Sequence, residues 1–191
     1  MGLSTPTGLA FMLCIVSIAG CGSYDTVPLD ADVTYEQWHS AQALESVHLD
    51  SAAKGGDLEM CVAQNVQNKS TTLQDTTGSF YGVYTGTYYQ VENSRETGGG
   101  DVLLYSRDGN VVAQGVVDYQ ASPLVARVVR YTLTVSDGGY EFTNLEQAQT
   151  NTGAAVNPGF DKIGAFAGAD PDKALSSLRS VASKIDRCRS R

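Results

Sequence analysis

The chain has 191 residues, 42% of them hydrophobic and 18% charged, with a formal net charge of −8. That composition suits one packed domain and not a disordered chain, and no apolar run reaches the roughly 18 residues of a membrane-spanning helix. The acidic balance argues against nucleic acid, which is bound by neutralising phosphates, and only two histidines, His39 and His48, stand ready as metal ligands or bases.

The first 24 residues carry no charged side chain. Within them Leu9 to Ala19 form an apolar run of eleven, the length of the hydrophobic region of an export signal. It ends in Ile18-Ala19-Gly20-Cys21, which resembles a bacterial lipobox: an aliphatic residue, two small residues and the cysteine that is lipidated. The resemblance implies a signal peptide over 1–20, removed before Cys21. It also implies diacylglycerol on the Cys21 sulfur and a fatty acyl group such as palmitate on the new amine. One feature departs from the pattern, since Met1 to Gly8 contain no Lys or Arg. Gly22, not Asp, follows the cysteine, so the resemblance places the protein on the periplasmic face of the outer membrane, with the membrane as its partner through lipid.

Four cysteines occur. With Cys14 lost in the leader and Cys21 acylated, Cys61 and Cys188 remain as one pair with one connectivity, in an oxidising compartment. A bridge between them is expected, worth about 4–5 kcal/mol by chain entropy. The alternatives are two buried thiols or a thiol–histidine pair.

Residues 21–33 read as the lipidated cysteine and a flexible, acidic tether, and 34–191 as a single domain. Asp30, Asp32 and Glu36 lack the glycine turn and spaced Glu of a calcium loop. Thr34 with Gln37 has capping-box spacing, so a helix is expected over 35–48. Its apolar set is split, with Tyr35, Trp38 and Ala41 on one face and Leu44 and Val47 nearly opposite.

Strands follow. Met60, Val62 and Val66 alternate with polar or small neighbours and predict a first strand. Phe80 to Tyr89 reads as an extended ribbon, with Phe80, Tyr84 and Tyr88 on one face and Tyr81, Val83 and Tyr89 on the other. Val102–Tyr105 and Val111–Ala113 flank Asp108-Gly109, a hairpin signal. Val129, Tyr131, Leu133 and Val135 alternate with polar residues, and Asp137-Gly138-Gly139 turns the chain into Tyr140-Glu141-Phe142. The connector 144–169 is either a long functional loop or conceals a short strand near Ile163–Ala167. Asp170, Pro171 and Asp172 open a terminal helix whose stripe of Leu175, Leu178, Val181, Ala182 and Ile185 takes in Cys188. The expected fold is therefore α+β: an antiparallel meander of about five or six strands with N- and C-terminal helices on one face. The run from Asp108-Gly109 through Tyr131–Val135 to Asp137-Gly138-Gly139-Tyr140 is similar to TATA-binding-protein-like or helix-grip domains.

No nucleophile elbow, zinc helix, Cys-x-x-Cys or phosphate loop occurs, so no catalytic residue, metal or cofactor is expected. Candidate binding residues are Tyr81, Tyr84, Tyr88 and Tyr89, whose rings suit a sugar or a peptide, and Phe160 in the long connector. The basic end, with Lys173, Arg179, Lys184, Arg187, Arg189 and Arg191, either meets anionic lipid or serves the helix terminus. The expected function is a non-enzymatic envelope lipoprotein that binds another envelope component, protein or glycan. The alternative is an envelope hydrolase or a small-ligand-binding lipoprotein.

Overall fold

A computed structural model describes residues 26–153 and 155–191. The leader and Cys21 lie outside the described residues. The fold is α+β, dominated by one seven-stranded antiparallel sheet. Its strands are β1 (Val33–Trp38), β2 (Ala41–Asp50), β7 (Leu103–Arg107), β8 (Asn110–Ser122), β9 (Val125–Ser136), β10 (Gly139–Gln149) and the short β11 (Asp161–Lys162). Their order across the sheet is β1-β2-β10-β9-β8-β7, with β11 on β10. Two further pairs complete the β structure: β3 (Ser70–Asp75) with β6 (Asn93–Gly98), and β4 (Phe80–Gly82) with β5 (Thr87–Tyr89). The helices are α1 (Leu58–Asn65) and α2 (Pro171–Arg189).

The hairpin through Asp108-Gly109, the alternating strand at Val129–Val135 and the turn at Asp137-Gly138-Gly139 form as their sequence dictates. So does α2, which buries Ala174, Leu175, Leu178, Val181, Ala182 and Ile185. This stripe joins Leu44, Val47, Tyr131, Leu133, Val135 and Phe142 from one sheet face in a single core. Each large aliphatic side chain removed from water there contributes about 1.5–3 kcal/mol. The other face carries a smaller cluster, Leu73, Val116, Val128 and Ala148, roofed by the β3–β6 ribbon and Phe160.

Two expected elements are exchanged. Residues 35–48 form strands, not a helix. A bulge in β2 explains the misleading pattern: Thr34 pairs with Ser46 but Tyr35 with Leu44, so Glu45 is an extra residue. The inward Leu44 and Val47 therefore stand three apart, a helical spacing produced by a strand. Residues 58–65 form a helix where a strand was expected. Asp57 caps it, its carboxylate accepting from the Met60 N–H at 2.9 Å, and Cys61 and Val62 turn inward while Met60, Ala63 and Gln64 face water. The helix on the sheet besides α2 is thus α1, not an N-terminal one.

The connector after Asn144 is largely structured. β10 runs on to Gln149, beyond a bulge at which Asn144 takes φ 51°. Residues 161–165 then fill the gap where β2 and β10 part: β11 pairs with Glu146 and Gln147, while Leu44 N–H donates to the Ile163 carbonyl at 2.9 Å. The segment assigned to the tether is also built in from Thr26 on. Thr26 bridges Phe166, Val27 N–H donates to the Ala165 carbonyl at 2.8 Å, Leu29 packs on the core, and Asp30 and Asp32 hold Arg179. Among the described residues, no helix is long and apolar enough to cross a membrane.

Candidate functional site

Phe80 to Tyr89 does not form a continuous ribbon. Residues 83–86 turn the chain back, with Thr85 and Gly86 N–H groups donating to the Gly82 carbonyl and Gly86 at φ 67°. The fold-back puts Phe80 opposite Tyr89 and Tyr81 opposite Tyr88, so the face partners differ from those of an unbroken ribbon. Phe80 and Tyr89 stack at 4.9 Å between centroids, 16° from parallel. Gly82 makes room for that arrangement: a Cβ there would lie 2.8 Å from the Tyr89 ring.

The hairpin is exposed. Phe80, Tyr81, Val83, Tyr88 and Tyr89 all face water in part or whole, and Tyr84 at the tip is 100% exposed. Cross-strand packing therefore exists, but the rings are not sheet core. From Thr76 to Val91 no residue is charged. The base is clamped by Asp75, whose carboxylate accepts from Asn157 N–H, Thr77 N–H and Asn93 Nδ2 at 2.9–3.0 Å. Those bonds, the Asn157 one foremost, hold its pKa well below the carboxylate range.

Phe160 stands apart from these tyrosines. It is half-buried on the second core cluster, with the Arg130 guanidinium 4.5 Å from its ring centre. Beside it is a cavity of about 240 Å³ lined by Asn68, Thr71, Gln114, Thr132 and Asn144 among others. A larger groove of about 600 Å³ gathers Glu36, Glu45, Glu141 and Glu146. Two of these four carboxylates are already matched, Glu36 by Lys162 and Glu146 by Arg130. His48 Nε2 lies 3.0 Å from Ser46 Oγ and 3.8 Å from Glu141. Both contacts use the same nitrogen, whereas a nucleophile–base–acid relay needs the two different ring nitrogens. Among the described residues no group of three or more His, Cys, Asp or Glu is placed to hold a metal.

Cys61 and Cys188 lie at disulfide distance, with sulfurs 1.98 Å and Cα atoms 5.6 Å apart. The link runs from α1 to α2, where a link from sheet to helix was expected. Of the basic end, Lys173, Arg179 and Arg189 are taken up by structural contacts, while Lys184, Arg187 and Arg191 face water. Arg189 is buried and donates to the Gly55 carbonyl at 3.0 Å and to Asp137 at 2.8 Å. Asp186 accepts from Tyr140 Oη at 2.6 Å, from Ser51 Oγ at 2.9 Å and from two backbone N–H groups. Burial opposes its charge, but the Tyr140, Ser51, Ala52 and Ala53 bonds outweigh that and lower its pKa. Burial first, then the bond to Asp186, pushes Tyr140 up to about 12. Asp170 makes no side-chain cap; its carboxylate pairs with Arg127 at 3.0 Å and Lys173 at 3.3 Å. Comparison with protein-family models, curated proteins and solved structures found no match for this chain.

Proposed function

We propose that the chain is an exported envelope protein, lipid-anchored through Cys21 at the periplasmic face of the outer membrane. Its α+β domain makes a non-enzymatic contact with another envelope component through the aromatic hairpin. One observation carries the binding role: large rings stand in water on a segment with no charge from Thr76 to Val91. Solvent-facing aromatic surface gathered in one place marks a contact site. Tyrosine suits the expected partners, protein and glycan, because its ring stacks while its hydroxyl hydrogen-bonds. The lipidation reading rests on Ile18-Ala19-Gly20-Cys21 and on the single cysteine pair left once Cys14 and Cys21 are set aside.

Two measurements test this. Labelled palmitate should enter the wild type and not Cys21→Ala; equal labelling of both overturns the anchor. A photoreactive phenylalanine analogue in place of Tyr84, irradiated in intact envelopes, should give an adduct with one envelope constituent. The same analogue at Met60 should not; equal or absent adducts at both positions overturn the hairpin as the contact surface.

A further inference from the structure

We propose that the aromatic hairpin rests in the interfacial zone of the bilayer that holds this chain's own anchor. The inference depends on the reading above for acylation of Cys21 and for the hairpin as contact surface, and it makes the lipid bilayer, in place of a protein or glycan, the envelope component that the hairpin meets. It comes from where the chain enters the domain. From Thr26 the backbone is fixed to the body, bridged to Phe166 and bonded through Val27 to Ala165. The steps from Cys21 to Thr26 reach at most about 18 Å when fully extended. An acyl group on Cys21 therefore holds the Thr26 end of the molecule close to the membrane.

That end is well defined. β10 finishes there, with Gln149 opposite Arg127 at the start of β9, and Gln147 reaches the Ala169 carbonyl just before α2. β3 runs out past the same end: Gln74 N–H donates to the Thr150 carbonyl at 2.7 Å, and Thr76 N–H to that of Gly153. The hairpin follows directly, so it projects from the end where the anchored segment leaves. Leu124 in the β8–β9 turn and Val156 after β10 are exposed at this end as well. The sequence agrees: the loop stretches 37–44, 76–91, 119–126 and 147–160 at this end contain no Asp, Glu, Lys or Arg, and its charges sit at the starts of β9 and α2, where Asp170 pairs with Arg127 and Lys173 and Asp172 is exposed. The opposite end carries Asp50, Lys54, Asp57, Arg107, Asp108, Asp137, Lys184, Arg187 and Arg191.

Charge-free backbone turns bearing tyrosines match the headgroup level of a bilayer, where amphipathic rings concentrate. A net charge of −8 and the exposed Asp172 at the start of α2 give no attraction to anionic lipid, so the contact is one of ring burial and not of counter-charge. The basic end of α2, about 28 Å of helix away, faces away from the membrane.

The test uses the full acylated chain with Trp38→Phe, reconstituted in vesicles of phosphatidylethanolamine and phosphatidylglycerol. Tyr84→Trp adds a reporter at the tip, and Met60→Trp one at the far end. Lipids brominated in their acyl chains should quench the tip reporter about twofold or more and leave the far one unchanged, as interfacial burial requires. The quenching should persist in high salt. Each variant is first required to unfold thermally like its parent. An acylated chain whose tip reporter is no better quenched than the far one overturns this inference and leaves the anchor intact. A tip adduct in envelopes that contains protein or glycan in place of lipid does the same. Failure of palmitate labelling is separate and removes the anchor itself.

Discussion

The two ends of the molecule are built on opposite principles. At the end where α2 finishes, Cys61–Cys188 joins two helices, Asp186 collects four donors, and Arg189 is buried against Gly55 and Asp137. Asp186 and Arg189 are spent on the protein itself, while Lys184, Arg187 and Arg191 around them stay exposed. At the end where α2 begins, rings stand in water on a hairpin that forms a two-stranded sheet of its own. One end is cross-tied and the other is left open, which is the division expected when stability and contact are assigned to separate regions.

The largest break in that comparison comes from Cys61→Ala. It should lower unfolding free energy under oxidising conditions by about 4–5 kcal/mol. Denaturant titration checks this, and reductant should bring the wild type to the variant's midpoint. Asp186→Ala comes next, at about 2–3 kcal/mol, because Tyr140 and Ser51 then keep donors without their charged acceptor. The pH dependence has a definite sign. The Asp186 pKa lies below its unfolded value, so its contribution is complete above the usual carboxylate pKa of roughly 3.9 and fades as pH falls through the folded value. Wild-type and variant stabilities should therefore converge in strong acid; a gap that stays constant contradicts the assignment.

At the open end the effects should be local. Asp75→Ala should speed amide exchange at Thr87 and Tyr89 while exchange in β9 stays as in the wild type. Exchange that rises equally in both would mean the clamp serves the whole fold. The smallest effect on stability belongs to Tyr81→Ser, Tyr84→Ser and Tyr88→Ser together, within about 0.5 kcal/mol per position, the usual range for surface changes. A large loss would show that the hairpin carries load for the core.

The sequence made the cross-tied end legible further than the open one. The stripe from Leu175 to Ile185 has a strict helical period and takes in Cys188, so the helix could be read from spacing, while the pairing of Cys188 with Cys61 followed from setting Cys14 and Cys21 aside. The strands from Asn110 to Phe142 alternate cleanly because one face is core and the other is wetter. Reading failed where an insertion broke the period. Glu45 in the β2 bulge moved Leu44 and Val47 to helical spacing, and the bulge at Asn144 concealed the second half of β10. At α1 the signal was present in Asp57, Leu58, Cys61 and Val62, a cap followed by helical spacing, but Met60, Val62 and Val66 also alternate. The tyrosines were found by composition, whereas their exposure depended on a four-residue turn that no periodicity encodes. Phe160 shared their chemistry but belongs with Arg130 and Leu73, a tertiary placement invisible in one dimension.

The strap from Thr26 to Asp32 has a mechanical consequence. It runs from the open end toward the cross-tied end: Val27 bonds to Ala165, Asp30 and Asp32 grip Arg179 midway along α2, and the Asp32 carbonyl accepts from His48 at the far end of β2. Only then does the chain reverse into β1, an edge strand of the sheet. A pull applied at Thr26 therefore loads these bonds lengthwise, in shear, before any tension reaches β1. The strand that would unzip most readily is shielded behind a fastening along α2, which passes the force through the Cys61–Cys188 link into α1.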